Sequence, residues 1–208
     1  MMASYDFSDD DEESLVSDSQ GYVNVFTDGG CKRYKNGTIL SSIGVFFGHG
    51  HVQNVSRIAP CIHDNNLAEA TAVLEALNIA QKCNFKKVRI YTDSQSTIDI
   101  VKSSKVKSIY RLKKVKKMDS KDRPKGIKLY LKATSIFDKI FDHIDKLEDF
   151  QLIWVKGHST SGFFGHDGNK EADKLASRAL RVAAAAASLK ENKHRIKGKR
   201  TSKIHFPK

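Results

Sequence analysis

Four carboxylates in this chain stand at positions where local elements begin or end. They are Asp28 in VFTDGG, Glu69 in NNLAEA, Asp93 in IYTDSQ and Asp173 in GNKEAD. Asp28 and Asp93 each close an apolar run of strand type, and Glu69 and Asp173 each fall one turn into a stretch of helical spacing. Singly, each has an ordinary structural use. Asp93 suits an Asx-turn or the N-cap of a following helix, and Asp28 suits a turn. With Asn66 as N-cap, Glu69 completes an Asn-x-x-Glu capping box; with Asn169 as N-cap, Asp173 complements the helix dipole. Together they suggest different chemistry. Crowded carboxylates stay ionised near neutrality only when cations neutralise them. All-oxygen ligands suit a hard ion such as Mg²⁺ or Mn²⁺. Two such ions about 3.5–4 Å apart stabilise the attacking and leaving oxygens of phosphodiester hydrolysis.

The elements that must position these acids are readable as a coarse order. Strands are predicted at 22–28, 39–47 and 52–58, the last two separated by Gly48-His49-Gly50, and again at 87–93 and 150–155. Helices are predicted at 66–83, 94–101 and 129–147, and from 169 into the alanine run 183–187. Three strands with short links suit an antiparallel meander, and two more reached through helices suit parallel additions. The expected fold is α/β: a five-stranded mixed sheet, three antiparallel strands then two parallel ones, flanked by helices. Ligands in such sheets sit at the carboxyl ends of the parallel strands, which would bring Asp28 and Asp93 to one rim. The single tryptophan, Trp154, lies in the fifth strand and is expected in the core.

Charge narrows the partner. The formal net charge is +12, yet residues 1–20 hold seven acids and no Lys or Arg, so the remainder carries 36 basic against 17 acidic residues, a balance of +19. Such a field favours a polyanion, either nucleic acid or an anionic membrane surface. Residues 102–132 hold thirteen Lys/Arg and only Asp119 and Asp122 as acids, and 188–208 hold eight Lys/Arg and one acid, Glu191. The expected organisation is a disordered acidic tail over 1–20, a catalytic domain over 21–187 with a basic protrusion at 102–132, and a flexible basic tail over 188–208. Three cysteines without C-x-x-C spacing fit a reducing compartment. No apolar run reaches membrane-span length, and the acidic N-terminal residues do not read as a secretory or transit signal.

The segments YVNVFTDGGC, NNLAEATAVLEAL, VRIYTDSQ, WVKGHS and GNKEADKLA, in that order and approximate spacing, resemble the type 1 ribonuclease H family over residues 21–187. The resemblance implies a ribonuclease H-like fold and endonucleolytic hydrolysis of the RNA strand of RNA–DNA hybrids. It implies two Mg²⁺ ions, with Mn²⁺ as a substitute. The partner would be the hybrid, with no membrane partner; a monomer is the default expectation, and the cysteine pattern and acidic N-terminal residues lead to the expectation of a place inside the cell, in nucleus or cytoplasm. Asp28, Glu69, Asp93 and Asp173 match the family's metal-binding carboxylates. His158 matches its mobile-loop histidine, whose pKa near neutrality suits proton transfer. Gly29, Gly30, Cys31, Asn65 and Asn66 match positions that reach the ribose 2′-OH, the group that separates RNA from DNA. On this reading the glycines let the backbone approach the substrate. Ser94 and Gln95 would line the DNA side.

The chain also departs from the family pattern. STSGFFGHDGNKEA lengthens the loop after His158 and supplies a second candidate base, His166. Ile62, His63 and Asp64 stand where many members carry an Arg or Thr that grips a DNA phosphate, and an acid there does not help. Tyr110 is the aromatic expected to replace the tryptophan contacts of other members, and no separate N-terminal hybrid-binding module is expected. Two other readings compete: strand-transfer chemistry on the same fold, and a non-catalytic nucleic-acid binder. A binder of anions has no reason to retain four acids, and strand-transfer relatives lack the Gly-His-Ser loop.

Overall fold

The computed structural model describes residues 17–60, 62–102, 127–157 and 164–201. Five strands form one sheet: β1 (Tyr22–Arg33), β2 (Ile39–Phe46), β3 (Val55–Ile58), β4 (Lys87–Thr92) and β5 (Asp149–Trp154), in the spatial order β3-β2-β1-β4-β5. β1 pairs antiparallel with β2 and β2 with β3, whereas β1–β4 and β4–β5 are parallel. The helices are α1 (Asn65–Lys82), α2 (Gln95–Lys102), α3 (Ile127–Ile144) and α4 (Phe164–Thr201). Among the described residues, no helix is long and apolar enough to cross a membrane.

Alternation along β1 sorts its side chains between two layers. Val23 and Val25 enter a core with Ile43, Val45, Val88, Ile90 and Leu152, covered by α1 and backed by Ile136, Ile140 and Phe141 of α3. Phe26, two residues before Asp28, faces the other layer, with Phe46, Ala172, Tyr91 and Leu175. Small residues bring both layers close. Ala68, Ala72 and Ala76 of α1 are fully buried, as is Ala172 of α4. A Cβ on Gly44 would overlap the Ala172 carbonyl, so α4 can cross β2 at this distance only over a glycine.

Several expected boundaries move. The first strand does not end at Asp28 but continues to Arg33. Its parallel pairing with β4 stops at Phe26↔Tyr91, while its antiparallel pairing with β2 runs from Phe26↔Phe46 to Arg33↔Ile39. Asp28 therefore sits where one neighbour has left the strand and the other has not. Asp64, not Asn66, caps α1: its side chain accepts the Leu67 N–H at 3.0 Å. α4 begins at Phe164 and carries Asn169 inside it, so Asn169 is not a cap. The same helix runs to Thr201, into the segment that composition assigns to a basic tail. Residues 17–20, assigned to the acidic tail, are held against the sheet. Asp18 accepts the N–H groups of Gln20 and Tyr22 and pairs with Arg89 at 2.5 Å. Trp154 is 48% exposed rather than core, because it ends a strand at the edge of the sheet. Residues 103–126, with Tyr110 and most of the basic protrusion, lie outside the described residues, as do Cys61 and 202–208.

Candidate active site

The end of the β1–β4 pairing is an open notch in the sheet, and three carboxylates fill it. Asp28 comes from β1, Asp93 from the turn that follows β4, and Glu69 from α1. Each offers an oxygen such that all three lie within 4.8 Å of one another. Glu69 reaches the notch because α1 lies directly on β1. A Cβ on Gly29 would overlap the Glu69 nitrogen and the Ala68 carbonyl carbon, and the Gly29 N–H donates to Glu69 Oε2 at 3.0 Å. The glycine after Asp28 thus makes room for a helix of the protein itself.

Local capping frees the acids for this use. Asp64 serves as the N-cap of α1, so Glu69 belongs to no capping box. Ser94 serves at the start of α2: its hydroxyl accepts the Thr97 N–H at 3.4 Å and its carbonyl accepts the Ile98 N–H at 3.2 Å. Asp93 is therefore not consumed as a cap. A Cβ on Gly157, just past β5, would overlap Asp93 Oδ2, so that backbone is pressed against the carboxylate.

Electrostatically the cluster is unfavourable as it stands. Asp28 is 9% exposed and Glu69 7% exposed. Burial, then the charges of Asp93 and Asp173, push Asp28 up to about 7. Burial, then the charges of Asp28 and Asp93, push Glu69 up to about 9. Among the described residues no lysine, arginine or histidine forms an ion pair with these three. Buried acids of one sign, all with oxygen donors, are a donor set for a hard divalent cation. Asp173 of α4 lies close enough to raise both neighbours but is not one of the three within 4.8 Å; Ser177 donates to its Oδ1 at 3.4 Å.

The other expected residues surround the notch in different ways. Asn65 Oδ1 accepts the Cys31 N–H at 3.2 Å, linking the α1 start to β1, and Asn66 Oδ1 accepts from the Ser96 hydroxyl at 3.2 Å. Both asparagines are exposed, Cys31 and Gly30 are half-buried, and Gly29 is buried. Ser94 is buried and turned inward to Thr97, whereas Gln95 is exposed and donates to Asp99 at 2.7 Å. The acid in the phosphate-gripping position is explained by its cap, and Ile62 beside it is buried with its carbonyl accepting from Ser41 at 2.8 Å. His158 lies outside the described residues. The backbone of His166 is in the first turn of α4 and its side chain is outside the described atoms. One residue at the site was expected from the sequence only as a helix cap. Asn169, four before Asp173 on the same face of α4, is buried with Nδ2 3.4 Å from Asp93 Oδ2. The i,i+4 spacing to Asp173 was the available signal.

Comparison with known proteins is consistent with this arrangement. The RNase H family model matches residues 20–181. Ribonuclease H1 of Homo sapiens is 32% identical over 158 residues, 74% of this chain and 49% of that protein. Ribonuclease H of Ralstonia nicotianae is 28% identical over 172 residues, 79% of this chain and 95% of that one. The chain spans about half the length of the mammalian relatives it matches, 55% for the rat protein and 49% for the human one. Among solved structures, LC11-RNase H1 in complex with an RNA/DNA hybrid superposes with a TM-score of 0.50 at 19% identity, over 77% of this chain and 98% of that one, a likeness of fold.

Proposed function

The chain belongs to the RNase H family, and from that premise we propose that it hydrolyses the RNA strand of RNA–DNA hybrids at the notch between β1 and β4. The observation that carries the proposal is the convergence of Asp28, Glu69 and Asp93 oxygens within 4.8 Å, from three separate elements, on a largely basic protein. A pair of divalent ions, Mg²⁺ or Mn²⁺, bound there would neutralise the cluster, activate water and stabilise the leaving oxygen. Asp28, Glu69 and Asp93 would hold the ions. Asp173, at the edge of the cluster, adds negative potential and would complete the ligand set.

The surrounding residues supply substrate recognition in this reading. Asn65 and Asn66, exposed beside the notch, can donate and accept as a 2′-OH requires. The backbone at Gly30 and Cys31 lies beside them, and Gln95 faces solvent at the start of α2, where the DNA strand would pass. His158 is the proposed proton-transfer group, with His166 as the competing candidate in the lengthened loop. Action as a monomer inside the cell belongs to the same proposal.

A labelled hybrid, single-stranded RNA and duplex DNA, each incubated with Mg²⁺ and with EDTA, test it. Cleavage confined to the RNA strand of the hybrid, abolished by EDTA, is the expected result. Asp93→Asn should lower the rate by about 10³-fold or more, the scale of losing several kcal/mol of transition-state stabilisation. Equal cleavage of all three substrates, or full activity in EDTA, would overturn the proposal.

A further inference from the structure

Asn169 is 4% exposed, and its Oδ1 has no hydrogen-bond donor among the described residues. A buried amide oxygen left unpaired loses its hydration and gains no hydrogen bond in return. An apolar residue on this helix would avoid that cost, so stability does not account for the asparagine. Its other end does have a partner: Nδ2 lies 3.4 Å from Asp93 Oδ2. That oxygen is also the one against the Gly157 backbone. The placement is built by glycines. A Cβ on Gly168 would overlap the Phe26 ring, and one on Gly165 would lie 2.9 Å from Val155. Without side chains at those two positions, the first turns of α4 press onto the end of the sheet, and Asn169 is driven in beside Asp93.

Resting on the metal-dependent reading above, we propose that Asn169 is a positioning residue for Asp93. Its amide nitrogen holds Oδ2 and so turns the other carboxylate oxygen toward Asp28 and Glu69. Its amide oxygen is kept for a proton donor that arrives with a hydrated divalent cation. The residue therefore acts through Asp93 on cation binding, and a helix residue serving only to pack would not.

The test is calorimetric titration of Mn²⁺ into the full chain without nucleic acid, comparing wild type with Asn169→Ala and Asn169→Ser, alongside melting in EDTA and steady-state cleavage of the hybrid. For Asn169→Ala the expected outcome is Mn²⁺ affinity lower by about tenfold or more and a comparable fall in kcat, with KM for the hybrid within about twofold. The melting temperature in EDTA should be unchanged or higher, because the unpaired oxygen is gone. Mn²⁺ affinity equal to wild type in both variants overturns the proposal, as does a loss of affinity matched by a lowered melting temperature in both. Should the wild type fail to cleave the hybrid, the proposed function falls, while the Mn²⁺ titration still decides the role of Asn169.

Discussion

At the residue scale, the notable property of this site is that two of its acids resist ionisation in the absence of a cation. Asp28 and Glu69 have ordinary values of 3.8 and 4.5 and are pushed up to about 7 and about 9 by burial and by neighbouring charge. Between those limits the folded protein binds protons that the unfolded chain has released. Stability of the cation-free protein must then fall as pH rises from about 4 through about 7 to 9. A cation competes with those same protons, so its affinity rises over the same interval. Melting curves from about pH 5 to 9 should show a declining melting temperature in EDTA and a flatter or rising one in saturating Mg²⁺. Parallel curves would show that the cluster does not take the ion.

At the element scale, the site depends on how closely two helices approach the sheet. Gly29→Ala changes no ionisable group, yet its Cβ would meet helix backbone at Glu69 and Ala68, which cannot rotate away. Overpacking of this kind costs about 1–3 kcal/mol, or roughly 2–4 °C of melting temperature per kcal/mol for a chain this long. Because α1 must shift, Glu69 leaves the notch, and cleavage should fall far more than stability. Asp64→Ala offers a contrast. It removes the cap of α1 at a cost of about 1 kcal/mol but leaves Gly29 and Glu69 in contact, so stability should fall with cleavage largely kept. Thermal melts and hybrid cleavage on the two variants check both outcomes. Equal losses of activity would mean that the cap, rather than the close approach, sets the position of Glu69.

At the scale of the whole molecule, charge distribution governs how a hybrid would be held. Residues 21–208 carry all 36 Lys/Arg, while 1–16 contribute six acids and no base. Hybrid affinity should fall linearly on a log–log plot against salt, with a slope of roughly −0.7 to −0.9 per phosphate neutralised. Removing residues 1–16 should raise affinity at low salt and converge with the full chain at high salt, since screening shortens the reach of the acids. The deletion should stop before Ser17, because Asp18 is joined to Arg89 and to the Tyr22 N–H. Binding isotherms across a salt series check this. Affinity independent of the acidic segment at every salt concentration would remove it from the substrate-binding account.

Much of this was legible in the residues. Alternation in YVNVFTD and KVRIYTD and helical spacing from Asn66 follow from side-chain periodicity, which is local, so the mixed five-stranded sheet and the rim holding Asp28 and Asp93 could be expected, whereas the spatial order of the strands could not. The short motifs carried the family resemblance for the same reason: each is a contiguous run. What a contiguous run cannot express is distance between elements. Only the packed structure decided that Gly29 accommodates α1, that Asp64 and Ser94 are the caps, that Trp154 ends exposed at an edge, and that Asn169 meets Asp93. Each of those depends on how closely two elements approach across the chain. Close packing of small side chains between layers sets that distance, and it is a property of the pair and not of either segment.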